Sequence, residues 1–233
     1  EGGDEPVAIA RRVPGVPVVV GKRRADAARV ALERGADLIL LDDGFQHLAL
    51  RRDVDILLLD ASDPFGGGAL PPRGTLREPL SALARATAVV FTRIDLAEPP
   101  REALQELARW NPEAPSFTAR IRAAGLWDER GSAVADTRLT SRRFVAVCGI
   151  ANPKRFRTSL SELDLSAEEI LAFPDHHRYR RRDLERIRRI ADATGSAWIA
   201  TTEKDAVKLA GRTSLPVVAV RLEVEMGETD FFP

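Results

Sequence analysis

The residues best suited to chemistry lie in the stretch DDGFQH, in which Asp42, Asp43, Gln46 and His47 follow directly on the apolar run 37–41. Phosphoryl-transfer enzymes use such carboxylates to hold Mg²⁺, directly or through water, beside nucleotide phosphates. The apolar run is too short for a surface helix and predicts a buried strand of a parallel sheet, whose carboxyl end is the usual place for a ligand. A pair of aspartates after an apolar strand is also typical of an ordinary solvated turn.

Two further details of this region add to the predicted site. Gly44 is expected to supply a turn with positive φ. Arg77 and Glu78 lie in the stretch TLREP; they either pair with each other as surface charges, or Arg77 contacts phosphate while Glu78 supports the metal. The run Gly66-Gly67-Gly68 lacks the Lys-Ser/Thr of a phosphate-binding loop and predicts a flexible hinge. It belongs to the segment 61–79, which has too many Gly and Pro residues for a regular element and is expected to be functional.

A turn in the second half of the chain carries Asp175, His176 and His177, in the stretch FPDHHRY. Two histidines without a third ligand make a poor zinc site. A histidine held by an aspartate is better suited to proton transfer.

Another polar stretch, TTEKDAVKL, follows an apolar run. It predicts a helix with Thr202 as its N-cap and Asp205 at the third helical position. Lys204 then lies at a helix start, where the dipole disfavours a cation unless an anion is near. A fourth stretch, TRID (92–95), resembles the base-reading element of guanine-nucleotide proteins, although Asp95 could equally cap a helix.

Apolar runs alternate with helical patterns along the chain, which predicts an α/β fold with a mostly parallel sheet. A polar stretch at 136–143 predicts a boundary between a domain at 1–142 and a smaller α/β domain at 143–233. The predicted strands are 16–20, 37–41, 55–60, 88–92, 144–150, 197–201 and 216–220, and the predicted helices are 24–34, 101–109, 153–163 and 182–193.

The composition limits the classes of function. The 233 residues include 35 Lys and Arg and 35 Asp and Glu, so global charge does not favour a nucleic-acid partner. The single cysteine, Cys148, excludes a disulfide framework and is expected in the core. No apolar run approaches the ~18 residues of a membrane-spanning helix, so a soluble globular protein is expected.

Taken in order, the stretches GDEP (3–6), DDGFQHLALRRDVDILLLD (42–60), LREPLSAL (76–83), NPKRF, FPDHHRY and TTEKDAVKL resemble the tetraacyldisaccharide 4′-kinase family over nearly the whole chain. This resemblance implies a P-loop kinase that uses ATP and Mg²⁺. The implied substrate is a tetraacylated glucosamine disaccharide 1-phosphate, a lipid A precursor, phosphorylated on its 4′-hydroxyl. The implied location is the cytoplasmic face of the bacterial inner membrane, as a peripheral protein.

The resemblance also implies roles for particular residues. Asp4 and His176 match a catalytic base and the histidine that pairs with it. Asp42 and Asp43 match the Walker-B-like carboxylates, of which one should hold Mg²⁺. Gln46 and His47 lie in the same motif. Glu78 matches the acidic residue of the LREP motif near the metal and phosphates, and Arg77 lies beside it in the same motif. With Asp4 and His176 in different predicted domains, the active site is expected in the cleft between them.

The chain departs from the family in one major respect: no G-x-x-x-x-G-K-[ST] occurs in the 233 residues. The first predicted domain therefore lacks the Walker A segment, and the chain by itself is expected to be inactive. The alternatives are another P-loop-related NTPase, for instance one that uses GTP, a non-catalytic binding module, and a metal-dependent hydrolase that uses Asp42, Asp43 and His47. The loop GGGALPPRGTLREP also differs from the family pattern at Gly67, Pro71, Arg73 and Thr75.

Overall fold

The computed structural model describes residues 3–134 and 141–227, with the side chain of Asp4 excepted. The chain forms two compact units: Glu1–Val20 with Arg122–Glu223, called unit 1, and Gly21–Ile121 with Val224–Pro233, called unit 2. The described helices are α1 Asp4–Arg12, α2 Arg24–Glu33, α3 Arg101–Trp110, α4 Pro153–Ser161, α5 Arg181–Thr194 and α6 Glu203–Leu209. The described strands are β1 Ile56–Asp60, β2 Ala88–Thr92, β3 Ser116–Trp127, β4 Phe144–Cys148, β5 Glu169–Ala172, β6 Trp198–Thr202 and β7 Val217–Met226.

Unit 1 is built on parallel pairing of β5 with β4, β4 with β6, and β6 with β7. All five residues of β4 are buried, since helices cover both faces of the sheet. Phe144, Ala146 and Cys148 face the core that includes Phe156 of α4. The alternate residues of β4 face the core under α5 and α6. Cys148 is fully buried as expected, and burial raises the pKa of its thiol to about 11.

Unit 2 contains a second parallel arrangement, in which β1 pairs with β2 and β2 with β3. Leu59, Val89 and Phe91 pack here against Leu107 of α3. Parallel strands of this kind confirm the predicted α/β fold with a mostly parallel sheet. Among the described residues, no helix is long and apolar enough to cross a membrane.

Most predicted elements are confirmed within two residues, but the predicted strands 16–20 and 37–41 are wrong. Neither segment pairs with another strand in the described chain. The side chains of Leu38 and Leu40 are 74% and 88% exposed, not buried. An apolar run reports which side chains favour burial, whereas a strand also needs a neighbour for its backbone hydrogen bonds. Helix α1 and strands β3 and β5 were not predicted, and neither were the short 3₁₀ helices Gly66–Gly68 and Leu80–Arg85.

The bounds of the compact units differ from the predicted division at residues 142 and 143. Residues 1–20 belong with 122–223 because α1 packs against α6. Arg12 of α1 donates to Glu203 Oε2 at 3.0 Å and to the carbonyl of Leu222 at 2.7 Å. The helix that begins at Asp4 and the turn that carries His176 consequently lie in the same unit. The polar stretch 136–143, which predicted the domain boundary, lies mostly outside the described residues.

A buried carboxylate at the start of α6 stabilises unit 1. Asp205 is fully buried and accepts hydrogen bonds from the Gly149 N–H at 2.7 Å and the Thr202 hydroxyl at 2.9 Å. Thr202 in turn accepts from the Asp205 N–H at 3.1 Å, which confirms it as the N-cap. Replacing Asp205 by alanine leaves buried donors unpaired and is expected to lower the free energy of unfolding by ~2–4 kcal/mol. Urea unfolding followed by circular dichroism measures this loss.

The control for Asp205 is Asp26→Ala on α2, where the carboxylate is exposed and its ion pair with Arg29 is 3.3 Å long. An exposed pair of this kind contributes little, so the free energy of unfolding should change by less than ~1 kcal/mol. An equal effect of the two substitutions would contradict a structural role of Asp205.

Candidate active site

In the acidic turn after residues 37–41, the left-handed conformation occurs at a different residue from the one predicted. Asp43 has φ 49°, whereas Gly44 is not among the residues with positive φ, so the predicted role of Gly44 is wrong. Gly44 is needed for a close approach instead, since an added Cβ would lie 2.7 Å from the Cβ of Leu41. A non-glycine residue at positive φ is uncommon, although aspartate tolerates it better than most residues.

Arg77 binds Asp43 and thereby joins two of the predicted motifs. Its Nη1 donates to Oδ1 and Oδ2 of Asp43 at 2.7 and 2.6 Å. These hydrogen bonds raise the pKa of the Arg77 guanidinium above its ordinary value. Glu78 does not pair with Arg77 but accepts from Arg85 at 2.8 Å, so the predicted Arg77–Glu78 pair is wrong. Both members of the Arg77–Asp43 pair are nearly two-thirds exposed, which leaves the pair open to a ligand.

A second arginine holds the backbone of the acidic turn. Arg52 donates from Nη1 to the carbonyl of His47 at 2.5 Å and from Nη2 to Asp55 at 3.1 Å. The side chain of Arg52 is only 13% exposed, so this contact is part of the packed structure. Arg52 was not predicted from the sequence, in which its only local signal is the Arg-x-x-Asp spacing of residues 52 and 55.

The turn lies beside a cavity of about 1120 Å³ within unit 2. Asp42, Asp43 and Gln46 line this cavity together with Arg77 and Glu78. Gln46 is exposed, and His47 is half-buried. The backbone N–H of His47 donates to the carbonyl of Gly44 at 2.9 Å. The structure therefore brings most of the predicted metal- and cofactor-binding residues to one cavity.

The residues around this cavity fit one part of a magnesium–nucleotide complex. Mg²⁺ is commonly held by one or two carboxylates, completed by waters and substrate phosphates. Asp42 and Asp43 offer such oxygens, and both are exposed. No cluster of three or more His, Cys, Asp or Glu suited to a metal occurs within residues 3–134 and 141–227. The chain also has no glycine-rich phosphate-binding sequence, so its residues fit the metal but not the β- and γ-phosphates.

The predicted hinge at Gly66-Gly67-Gly68 forms part of a closed loop. The Thr75 N–H and hydroxyl both donate to the carbonyl of Gly66, at 2.9 and 3.2 Å. Gly66 has φ 54°, and a Cβ at this position would collide with the Thr75 hydroxyl. Thr75, one of the departures from the family pattern, thus closes the loop that leads to Arg77.

The TRID stretch contributes an ion pair at the carboxyl ends of β1 and β2. Arg93 has φ 61° and donates to Asp60 at 2.5 Å. Asp95 does not cap a helix, since α3 begins at Arg101 after Pro100, so that interpretation is wrong. The Asp95 carboxylate accepts instead from the Ile121 N–H at 3.4 Å.

A second polar cluster lies at the carboxyl edge of the sheet in unit 1, around the ammonium group of Lys204. The Lys204 Nζ lies 3.4 Å from Glu5 Oε1, 3.1 Å from Asp175 Oδ1 and 3.2 Å from His176 Nε2. The hydrogen bond from Lys204 holds the pKa of the Asp175 carboxyl below its ordinary value. These anions explain why a cation is tolerated at the start of α6. Glu5 directly follows Asp4, so Lys204 connects α1 with the histidine turn.

The two adjacent histidines have different surroundings. His176 has φ 55°, and its backbone N–H donates to Asp175 Oδ1 at 2.9 Å. His177 Nε2 lies 3.0 Å from Asp183 Oδ2, and its ring stacks on Phe173 at 4.7 Å between centroids. The His176 side chain is 58% exposed, against 21% for His177. The exposed ring in a strained backbone is the better candidate for chemistry, and the packed ring is the better candidate for structure.

Parallel strands with polar turns after their carboxyl ends define an α/β protein with a mostly parallel sheet. The family model for tetraacyldisaccharide-1-P 4′-kinase matches residues 1–232, so the chain belongs to this family. A tetraacyldisaccharide 4′-kinase of Anaeromyxobacter sp. (strain K) is 47% identical over 97% of the chain and 62% of its own length. That of Syntrophus aciditrophicus is 43% identical over 97% of the chain and 63% of its own length.

A solved structure supports the same assignment. The crystal structure of LpxK from Aquifex aeolicus in complex with ATP has a TM-score of 0.76 and 30% sequence identity to this chain. The match covers 98% of the chain and 66% of the Aquifex protein. The chain thus spans somewhat less than two thirds of the length of these curated relatives.

Proposed function

We propose that the protein expressed from its complete gene phosphorylates the 4′-hydroxyl of a tetraacylated glucosamine disaccharide 1-phosphate with ATP, a step of lipid A biosynthesis. The observation that carries this proposal is the family match over residues 1–232, with the motif residues present in their order. We further propose that the protein acts as a peripheral protein at the cytoplasmic face of the inner membrane. The proposed lipid substrate resides in a membrane, so the enzyme must bind at the membrane surface to reach it.

The acidic turn of unit 2 is proposed to bind the metal and nucleotide. ATP with Mg²⁺ supplies the phosphoryl group for transfer. Asp42 or Asp43 provides a carboxylate for the metal. Gln46 and Glu78 line the same cavity, and His47 follows Gln46 in the same turn. Arg77 is held by Asp43 through two hydrogen bonds from Nη1. Its side chain is still nearly two-thirds exposed and can therefore face a negatively charged phosphate. Cations and a metal around the phosphate oxygens stabilise the negative charge of the transition state.

The cluster of unit 1 is proposed to activate the sugar hydroxyl. A sugar hydroxyl requires a base within hydrogen-bond reach during transfer. Asp4 is proposed as this base, with His176 orienting it and sharing the proton. The bridge from Lys204 to Glu5 and His176 supports this pairing, because it connects the residue next to Asp4 with the imidazole.

The decisive experiment compares two forms of the protein in an assay with radiolabelled ATP, Mg²⁺ and the lipid substrate. The protein from the complete gene is expected to phosphorylate the lipid. The 233-residue chain alone is expected to show no detectable turnover, because carboxylates without a phosphate cradle leave the nucleotide unpositioned. Phosphorylation by the 233-residue chain would contradict this prediction.

The same assay separates the alternatives. Nucleotide hydrolysis that does not depend on the lipid, or a preference for GTP in competition, would favour another NTPase. Metal-dependent turnover without nucleotide would favour a hydrolase. Lipid binding without phosphorylation by the complete protein would favour a binding module.

A further inference from the structure

Lys204 occupies an unusual position for a lysine. It is the second residue of α6, near the positive end of the helix dipole, and its side chain is only 17% exposed. Lysine ammonium groups are strongly hydrated and are seldom withdrawn from water without partners. Its partners include Asp175 at 3.1 Å, Glu5 at 3.4 Å and His176 at 3.2 Å. A half-buried cation with partners on α1 and on the histidine turn points to a positioning role.

The contact between Lys204 and His176 determines where the imidazole carries its proton. An ammonium group has three donors and no acceptor, so a nitrogen that lies 3.2 Å from it must accept. His176 Nε2 is therefore the nitrogen with the lone pair. In a neutral imidazole the other nitrogen, Nδ1, then carries the proton.

The neighbouring histidine is in the opposite state. A carboxylate accepts hydrogen bonds and does not donate them, and Asp183 is held ionised by the N–H of Arg180 at 2.8 Å. His177 Nε2, at 3.0 Å from Asp183 Oδ2, must therefore be the donor. Two histidines next to each other in sequence are thus set in opposite tautomers by a lysine and an aspartate.

We propose that Lys204 is a positioning residue that fixes His176 in its Nδ1–H tautomer and joins the start of α1 to the His176 turn. In this state Nδ1–H is the group with which the imidazole donates to a carboxylate partner. The significance of this for catalysis rests on the proposed function, in which that partner is Asp4. Lys204 would then act through His176 and through Glu5 without touching the reacting atoms.

The tautomer is measured directly by long-range ¹H–¹⁵N correlation spectra of the 233-residue chain, above the titration range of imidazole. The chain has only three histidines, so substitution of each assigns the signals. The expected spectrum shows a protonated Nδ1 for His176 and a protonated Nε2 for His177. In Lys204→Met, His176 should change to a mixture or to the Nε2–H form, while His177 stays unchanged.

The matched control is Lys154→Met. Lys154 is also the second residue of a helix in unit 1, after the N-cap Asn152, but it is exposed. Its removal makes the same charge change and should leave both histidine tautomers as they are. An Nε2–H form of His176 in the unsubstituted chain, or an unchanged His176 signal in Lys204→Met, would overturn the proposal.

Kinetics of the protein from its complete gene test the catalytic part. Lys204→Met is expected to lower kcat by about tenfold or more with little change in the KM for ATP, and Lys204→Arg, which keeps a donor, to recover part of the loss. Full activity of Lys204→Met would overturn the positioning role. If the tautomers are as expected but no form of the protein phosphorylates the lipid, the proposed function fails and the tautomer assignment stands.

Discussion

His176→Ala, in the protein expressed from its complete gene, is expected to lower kcat about 10- to 1000-fold while the affinity for nucleotide stays near normal. An isolated aspartate is a weak base for a sugar hydroxyl at neutral pH, and a hydrogen-bonded histidine can orient it and share the proton. His176 suits this role because its ring is 58% exposed and its Nε2 is held by Lys204 at 3.2 Å. Steady-state kinetics with ATP and the lipid measure the effect.

The pairing of His176 with Asp4 is tested by a double-mutant cycle. Asp4→Ala should cause a similar loss, and the double mutant should lose much less than the product of the two single losses, because residues that act as a unit are non-additive. Single losses that multiply fully would contradict the pairing. Since α1 and the His176 turn belong to the same compact unit, the proposed pairing does not require a movement of separate domains.

His177→Ala is the matched control, because the His177 side chain is only 21% exposed, whereas that of His176 is 58% exposed. His177 stacks on Phe173, lies edge-on to Tyr179 at 5.1 Å and binds Asp183. Its loss should lower the free energy of unfolding by ~1–3 kcal/mol with a milder effect on kcat. His176→Ala should have the reverse pattern. A larger kcat effect at His177 than at His176 would show that the catalytic assignment is wrong.

The elements that the sequence predicted best are those whose patterns are local. Helix α5 has a 3.6-residue apolar pattern and ends at Gly195, whose φ of 65° is the left-handed conformation that a helix C-cap favours. Strand β4 is a continuous apolar run that is buried on both faces. The run 37–41 has the same pattern but pairs with no strand in the part of the chain that the structure describes. Pairing is a long-range property that the run itself does not contain.

In the candidate site, too, the features that are local in sequence were predicted and the long-range contacts were not. Asp42 and Asp43 were predicted because they are adjacent and follow an apolar run. The partner of Asp43 could not be predicted, because Arg77 lies 34 residues from Asp43 and Glu78, next to Arg77, was the nearer candidate for an ion pair. Lys204 was a partial exception. A cation at a helix start predicted a nearby anion, but not that Asp175, 29 residues away, would provide it.

Removing the charge of Asp42 or Asp43, in the protein from its complete gene, is expected to lower turnover by ~10²-fold or more with little loss of stability. Both side chains are exposed, so few packing contacts are lost. Asp43→Asn is a cleaner variant than Asp43→Ala, because asparagine also tolerates the left-handed conformation that this residue adopts at φ 49°. The measurements are lipid phosphorylation and the Mg²⁺ concentration at half-maximal rate.

Asp26→Asn on α2 is the control for these two substitutions, since it removes an exposed carboxylate of the same unit and should leave turnover within about twofold. Asp43 also accepts two hydrogen bonds from Arg77, so its substitution tests this contact as well as the proposed metal binding. If Asp43 acts through Arg77, then Arg77→Ala alone should lower turnover. The double variant Asp43→Asn with Arg77→Ala should then lose less turnover than the product of the two single losses. If Asp43 acts through the metal, Asp43→Asn should instead require more Mg²⁺, whereas Arg77→Ala should not. An effect below tenfold for both Asp42 and Asp43 would contradict the metal assignment, whichever way Arg77 behaves.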